Sequence, residues 1–287
     1  MRVTRPTVSL VIPAYNEESH LAACLEAIAR QTVRPLEVIV VDNNSTDDTA
    51  AVARRFPFVT LLHEPRQGVV YARDAGFNAA RGDIIGRTDG DSVLASDWVA
   101  QVQAAFADPA VDAASGLVEY QHVGLRKVFT FIDTRIRHHL ARRTGAIDEL
   151  FLYGVNMAIR RSAWQIVRGK VCHIRRHHED LDLAVHLAQA HRNIIFAPQM
   201  RATITPRQAS ASAPEFYKYV WSGPRVYADH RMRAQHYMYP VAVFVTALYL
   251  PIRLLYKGYN PATGHFSLVY AWRSTAPARV SPVSETI

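Results

Sequence analysis

Cysteine is scarce in this chain of 287 residues, which contains only Cys24 and Cys172. Two cysteines in separate segments do not indicate a disulfide framework, so the sequence predicts a reducing, cytosolic setting. The same scarcity argues against a zinc site. A composition of 49% apolar and 20% charged residues is typical of a folded globular protein and excludes a disordered one.

Long apolar runs are also lacking. Near the amino terminus, Val8 to Ile12 ends at a proline, which is far short of a signal-peptide core. Further on, Met238 to Ile252 contains no charge but is shorter than the roughly 20 residues that a spanning helix needs. We expect this stretch either to lie in a membrane interface or to pack on the domain as a helix. The sequence thus predicts a cytoplasmic protein associated with the inner face of the cell membrane.

Several nucleotide-binding and nucleic-acid-binding signatures are missing. No Gly-x-Gly-x-x-Gly follows a strand, which argues against a hydride-transfer enzyme. The segment from Pro13 to Glu18 has neither Gly nor Lys, although a sugar-phosphate nucleotidyltransferase would need both in a phosphate loop. That enzyme remains one alternative, and a non-catalytic nucleotide-binding protein remains another. No DNA-binding or RNA-binding module is present, so nucleic acid is not an expected partner.

Charge of the two signs is unevenly distributed along the chain. Residues 1–120 carry 10 basic and 16 acidic side chains, a net charge of −6, whereas residues 121–287 carry 23 and 9, a net charge of +14. A basic second part suits an anionic membrane surface or a phosphorylated substrate. The two parts of the chain are therefore expected to face different partners.

Short apolar runs alternate with segments of helical periodicity in the first part of the chain. The runs, rich in Val, Ile and Leu, are typical of buried strands, and apolar residues recur on one face of the segments between them. Four such alternations predict an α/β fold with a mostly parallel central sheet and helices on both faces. The expected strands are Val8 to Ile12, Glu37 to Val41, Val59 to His63 and Ile84 to Arg87.

Polar residues follow each predicted strand. In a parallel sheet the loops that leave the carboxyl ends share one edge, where ligands bind. The fourth loop contains Asp89 and Asp91 on a tight turn. Paired carboxylates suit Mg²⁺ or Mn²⁺, which is usually shared with a diphosphate. Alternatively, the pair belongs to an ordinary solvated turn.

Three segments together closely resemble the nucleotide-sugar-binding half of family 2 glycosyltransferases. They are Val8 to Glu17, Val40 to Asp47, and Ala79 to Ile85 leading into Asp89-Gly90-Asp91. The resemblance is close over residues 7–115 and continues more loosely, through Tyr153 to Arg161 and Glu179-Asp180, to about residue 207. It implies the GT-A fold, with a nucleotide-sugar half at about 7–115 and an acceptor half at about 116–210. Residues 211–287 are expected to form a helical, apolar, membrane-associated extension.

The resemblance also implies roles on the donor side. The loop containing Pro13, Ala14, Tyr15 and Glu17, together with Asp42, would contact the nucleoside. Asp91 would bind the metal directly, and Asp89 would lie near the ribose or the metal. The cation would stabilise negative charge on the departing diphosphate. From the residues alone, Asp42 could equally cap a turn in Asp-Asn-Asn-Ser, and that role is compatible with binding.

On the acceptor side, Asp180 would be the general base of an inverting transfer, with Glu179 beside it in the second acidic motif. The alternative is that both acids only complement the dipole at a helix start. Asn156, in a loop where Gly154 permits close backbone approach, would contact the acceptor. Arg207 would contact the diphosphate, and the alternative is that it is an ordinary surface arginine.

These implications together predict a metal-dependent glycosyltransferase of the cell envelope. The motif Gln-x-x-Arg-Trp of processive members is absent, and Gln189 to Asn193 matches only its first part, which favours single addition. The donor would be a nucleoside diphosphate sugar. The acceptor would be a hydroxyl of a glycan, a glycolipid or a lipid carrier.

Overall fold

The computed structural model describes residues 5–120, 152–174, 177–204 and 213–247, with positions 249, 254, 258 and 265–267. Arg207 lies outside these ranges. The strands are β1 Val8–Ala14, β2 Glu37–Asp42, β3 Val59–His63, β4 Ile84–Arg87, β5 Ser92–Leu94, β6 Ala113–Tyr120, β7 Met157–Arg160 and β8 Ile194–Ile204. The helices are α1 Leu21–Ala29, α2 Thr49–Arg54, α3 Val69–Ala79, α4 Trp98–Ala105, α5 Arg161–Val167, α6 Glu179–Gln189, α7 Ala213–Asp229 and α8 Gln235–Ala247.

One eight-stranded sheet with the order β3-β2-β1-β4-β7-β6-β8-β5 runs through the described part of the chain. The first four strands in this order are parallel, as the sequence predicted. Beyond them β7 pairs antiparallel with both β4 and β6, and β5 pairs antiparallel with β8. The sheet is therefore mixed, because three antiparallel pairings involve strands that follow the regular alternation.

Alternation along β1 sends side chains into two separate cores, because successive side chains of a strand point to opposite faces. Leu10 and Ile12 join a cluster with α1 and α4 on one face. Val11 joins Phe77 and Trp164 in a second cluster with α3, α5 and α6 on the other face. Both faces of the sheet are thus covered, as predicted.

An irregularity in β8 shapes the centre of the second half. Gly116 of β6 pairs with Ala197, but the next residue, Leu117, pairs with Arg201. The residues from Pro198 to Met200 therefore bulge out of the ladder, and their backbone groups need other partners.

The described part of the carboxyl-terminal region is helical. α7 packs against α6 through a small cluster that includes Val185, Val226 and Tyr227. α8 packs on α7, but Ala242 is its one buried residue among those described. α8 thus packs on its neighbour and leaves most of its own described surface exposed, so both alternatives stated for this stretch stay open. No helix among the described residues is long and apolar enough to cross a membrane.

Candidate functional site

The loops that follow β1, β2 and β3 are joined by one buried side chain, Asn43. Its backbone N–H donates to the Ala14 carbonyl over 2.8 Å, and its amide nitrogen donates to the carbonyls of Glu64 and Arg66 at 3.1 and 2.7 Å. Its amide oxygen accepts from the Gly68 N–H at 2.8 Å. The predicted convergence of these polar loops at one sheet edge is thus confirmed.

Residues 13–17 lie at the carboxyl end of β1. Pro13 and Ala14 pair with Val41 and Asp42 of β2. The backbone then turns, since the Glu17 N–H donates to Thr49 Oγ1 at 2.7 Å. Tyr15, which is half-buried, stands between these fixed points. The structure therefore brings Pro13, Ala14, Tyr15 and Glu17 to the same edge as Asp42.

Asp42 is buried at the end of β2 and shapes the loop after it. Its Oδ1 accepts from the Ser45 N–H at 3.2 Å, and its Oδ2 lies 3.4 Å from His63 Nδ1. The turn role expected from Asp-Asn-Asn-Ser is confirmed. A carboxylate has about four acceptor positions, so two contacts leave capacity for a ligand.

Three acidic residues meet around the buried thiol of Cys24. The thiol lies 3.7 Å from the Asp89 carbonyl oxygen, and a Cβ built on Gly90 would lie 3.3 Å from Glu17 Cγ. Burial raises the pKa of Cys24, and the charges of Asp91, Asp89 and Glu17 raise it further. Carboxylate oxygens are the ligands that Mg²⁺ and Mn²⁺ prefer, so Asp91 and Asp89 remain the candidate metal ligands of this turn.

Arg87, at the end of β4, connects this acidic turn to the second half of the chain. Its side chain is 2% exposed. One terminal nitrogen donates to Asp89 Oδ1 at 3.2 Å, and the other donates to Glu179 Oε1 at 2.6 Å. Burial alone would lower the pKa of Arg87, but the charges of Glu179, Asp89 and Asp180 raise it. The guanidinium is therefore a fixed positive charge between the two acidic motifs.

Glu179 and Asp180 begin α6 and have opposite electrostatic surroundings. Burial would raise the pKa of Glu179, but Arg87 and Arg73 outweigh burial and hold that pKa below its usual range. Burial raises the pKa of Asp180, and the charge of Glu179 adds to the rise. Glu179 is thus the ion-pair partner of Arg87, and Asp180 is the more basic carboxylate.

Backbone groups orient the Asp180 carboxylate. Its Oδ2 accepts from the Gly154 N–H at 2.9 Å, and its Oδ1 accepts from the Leu181 N–H at 2.8 Å. Gly154 also packs on Arg87, since a Cβ at this position would lie 2.7 Å from Arg87 Nη1. The close approach expected at Gly154 is therefore made by groups of the protein itself.

Asn156 is fully buried, and its side chain is engaged by the core. Its Oδ1 accepts from Trp98 Nε1 at 2.7 Å. Its Nδ2 donates to the carbonyls of Leu117 and Met200 at 2.8 and 2.9 Å, the latter within the β8 bulge. Asn156 thus supplies hydrogen bonds to backbone carbonyls that the irregular pairing of β6 and β8 leaves without strand partners. Since its side chain is used in this way, we withdraw Asn156 from the residues predicted to contact substrate.

Arg73 and Arg87, the two arginines that are buried in the described part of the chain, were not predicted from the sequence. Arg73 on α3 is fully buried, donates to the Glu179 carbonyl at 2.6 Å and pairs with Asp74 at 2.8 Å. Arg87 follows an apolar run, so in the sequence it looks like an exposed polar residue at the end of a strand. A useful signal would have been the excess of acids in residues 1–120, because closely spaced carboxylates require compensating charge.

Comparisons with known proteins agree with this architecture. The model of the family described as "Glycosyl transferase family 2" matches residues 9–167. Glycosyltransferase AglE of Haloferax volcanii is 30% identical over 157 residues, which are 51% of this chain and 52% of AglE. Chondroitin synthase of Pasteurella multocida is 36% identical over 98 residues, 33% of this chain and 10% of the synthase. The chain thus spans about half, or less, of the length of these relatives.

Among solved structures, the mannosyltransferase PcManGT from Pyrobaculum calidifontis, in complex with GDP-Man and Mn²⁺, has a TM-score of 0.64 at 22% identity. The similarity covers 94% of this chain and 78% of that one. Identity this low supports the fold alone, and the fold is the GT-A arrangement that the sequence predicted. Since the family model matches more than half of the residues, this chain belongs to glycosyl transferase family 2.

Proposed function

We propose that this protein transfers a sugar from a nucleoside diphosphate sugar to an acceptor hydroxyl, once per acceptor and with inversion at the anomeric carbon. The observation that carries the proposal is the position of Arg87 between the two acidic motifs. Arg87 holds the Asp89 turn close to the start of α6. The donor-binding side and the proposed base Asp180 can therefore act on the same anomeric carbon.

On the donor side, the loop at residues 13–17 and Asp42 bind the nucleoside. Asp42 accepts from a ring N–H or a ribose hydroxyl with the acceptor capacity that its two internal contacts leave. Asp91 is the direct ligand of Mg²⁺ or Mn²⁺, and Asp89, one oxygen of which accepts from Arg87, lies beside it. When bound, the cation stabilises the negative charge on the leaving diphosphate. Arg207, which lies outside the described residues, is proposed as a further diphosphate contact.

On the acceptor side, Asp180 is the general base. Two backbone N–H groups fix its carboxylate, and neither carries a charge that would remove its basicity. As the acceptor oxygen bonds to the anomeric carbon, the bond from that carbon to the diphosphate oxygen breaks. The hydroxyl proton passes to Asp180. Glu179 has a positioning role, because Arg87 donates to its carboxylate and Arg73 donates to its backbone carbonyl.

The acceptor is proposed to be a glycan, a glycolipid or a lipid carrier presented at a membrane surface. α8 exposes Val241, Val243 and Phe244, with exposed fractions of 47%, 56% and 63%. Arg231 and Arg233 are exposed immediately before it. Apolar side chains beside cationic ones suit the interface of an anionic membrane.

A binding screen followed by product analysis tests the proposal. Nucleoside diphosphate sugars should raise the melting temperature of the chain when Mn²⁺ is present, because they bind the folded state alone. The increase should vanish in Asp91→Ala and persist in Asp97→Ala, whose carboxylate lies at the start of α4 and accepts from Gln101. The anomeric configuration of the product, read by NMR, should be inverted. A retained configuration, or donor binding by Asp91→Ala at wild-type strength, would refute the assigned chemistry.

A further inference from the structure

A second group of metal-ligating side chains lies where α6 meets the end of α7. Cys172 is in the loop before α6, Asp182 and His186 are one turn apart on α6, and His230 follows α7 directly. One ligand atom from each of the four residues lies within 4.8 Å of the others. Asp182 and His186 are buried, and the other two are half-buried.

The distances between these atoms are close to those of a tetrahedral zinc site. With Zn–S near 2.3 Å and Zn–N and Zn–O near 2.1 Å, sulfur and nitrogen ligands should lie about 3.6 Å apart, and nitrogen and oxygen ligands about 3.4 Å apart. Cys172 Sγ lies 3.7 Å from Nε2 of both His186 and His230. Asp182 Oδ1 lies 3.6 Å from His186 Nε2 and 2.8 Å from His230 Nε2. Of these four distances, only the last must lengthen, by roughly 0.6 Å, to accommodate the ion.

The surroundings of Asp182 also suit a ligand. Its second oxygen, Oδ2, accepts from the Cys172 N–H at 2.8 Å. This bond orients the carboxylate so that Oδ1 faces the imidazoles of His186 and His230. It also holds Cys172 close to the three other ligands. Outer contacts of this kind are typical of metal ligands.

We propose that Cys172, Asp182, His186 and His230 bind one Zn²⁺ ion that joins α7 to α6. A thiolate and two imidazoles select zinc over Mg²⁺ or Mn²⁺, which prefer oxygen ligands. Four protein ligands fill the tetrahedral shell, so the role is structural. The low cysteine count does not exclude this site, because one thiol is sufficient when histidine and aspartate supply the remaining ligands.

The zinc site is distinct from the acidic turn at Asp89 and Asp91. Successive residues of a helix are about 100° apart, so Asp182 and Asp180 point to nearly opposite sides of α6. Asp180 contacts Gly154, whereas Asp182 contacts Cys172 and His230. The ion would therefore fix the helix that carries Asp180 without contacting the substrate.

Metal content and cobalt spectroscopy test this inference on the full chain. After incubation with equimolar Zn²⁺ and desalting, the wild type should retain about one zinc per chain. Cys172→Ser and His230→Ala should retain less than about a tenth of that amount. Zinc at 100 times its Kd should raise the melting temperature of the wild type by roughly 5 to 10 °C. Loading with Co²⁺ should give a thiolate-to-cobalt charge-transfer band.

Matched variants distinguish zinc bound at this site from zinc bound elsewhere on the protein. Cys24→Ser and the exposed His236→Ala should retain wild-type zinc, and so should Asp91→Ala, which lacks the proposed ligand of the donor metal. The inference is overturned if the folded wild type retains no zinc, or if its cobalt complex lacks the thiolate band. Equal zinc content in Cys172→Ser and the wild type would overturn it as well. The first two results are read on the wild type and do not depend on the folding of any variant.

Discussion

Arg87 of β4 and Glu179 at the start of α6 form a largely buried ion pair, with side chains 2% and 14% exposed and 2.6 Å between guanidinium nitrogen and carboxylate oxygen. The pair is 92 residues apart in sequence and connects the donor half of the sheet to the helix that carries Asp180. Because both side chains are largely removed from water, the charge of each is stabilised by the charge of the other.

Arg87→Met should therefore destabilise the protein strongly. The substitution leaves Glu179 buried with one cationic partner fewer, and the loss of one member of such a pair costs about 3 to 5 kcal/mol. The free energy of unfolding in urea measures the effect. Arg81→Met is the matched control, since Arg81 pairs with Glu37 but is 77% exposed. Its cost should be at most about 1 kcal/mol. Equal costs for the two variants would contradict the role assigned to Arg87.

Gly154→Ala should disturb the acceptor side. The added Cβ would lie 2.7 Å from Arg87 Nη1 and would push the loop away from Asp180. We expect a loss of about 1 to 3 kcal/mol in stability, as for other overpacked sites, together with a fall in kcat. Gly169→Ala is the control, because nothing lies within 4 Å of a Cβ at that position. Wild-type turnover in Gly154→Ala would show that this contact does not position the base.

Asn156→Leu distinguishes a core role from an acceptor contact. The change leaves Trp98 Nε1 and the carbonyls of Leu117 and Met200 without their partner. Each unsatisfied buried group costs about 1 to 3 kcal/mol, so the loss should reach about 3 kcal/mol or more. The exposed Asn193→Ala should cost much less. If Asn156→Leu were as stable as the wild type but had a raised KM for the acceptor, the withdrawn substrate role would be reinstated.

Sequence patterns predicted the part of the fold in which the local pattern of apolar residues matches the strands that form in the sheet. Apolar runs gave β1 to β4, and their loops converge as expected because parallel strands end at one edge. The antiparallel entry of β7 was not predictable, since the partner of Met157 to Arg160 depends on the whole sheet. In the candidate site, residues 13–17, Asp42 and Asp180 were predicted through motifs. Arg87 was not found, because its importance lies in a contact that spans 92 residues.

The exposed face of α8 should contribute to membrane binding. Val243→Ser combined with Phe244→Ser should weaken co-flotation with vesicles of anionic phospholipid by at least about tenfold, since each large apolar side chain gains about 1.5 to 3 kcal/mol on burial. Leu36→Ser with Ile166→Ser is the control, because these residues are 52% and 44% exposed elsewhere on the protein. An equal loss in both double variants, or no loss in the first, would exclude α8 as the membrane contact.

The most direct test measures two quantities for Asp180→Asn, which are its rate of sugar transfer and its affinity for the donor. Asparagine can keep the contact with the Gly154 N–H but cannot accept the proton of the acceptor hydroxyl. We predict a fall in kcat of about 10² to 10⁴-fold, the usual contribution of a general base, with donor Kd changed by less than about threefold. Transfer by Asp180→Asn at the wild-type rate would contradict the assignment of Asp180 as the base.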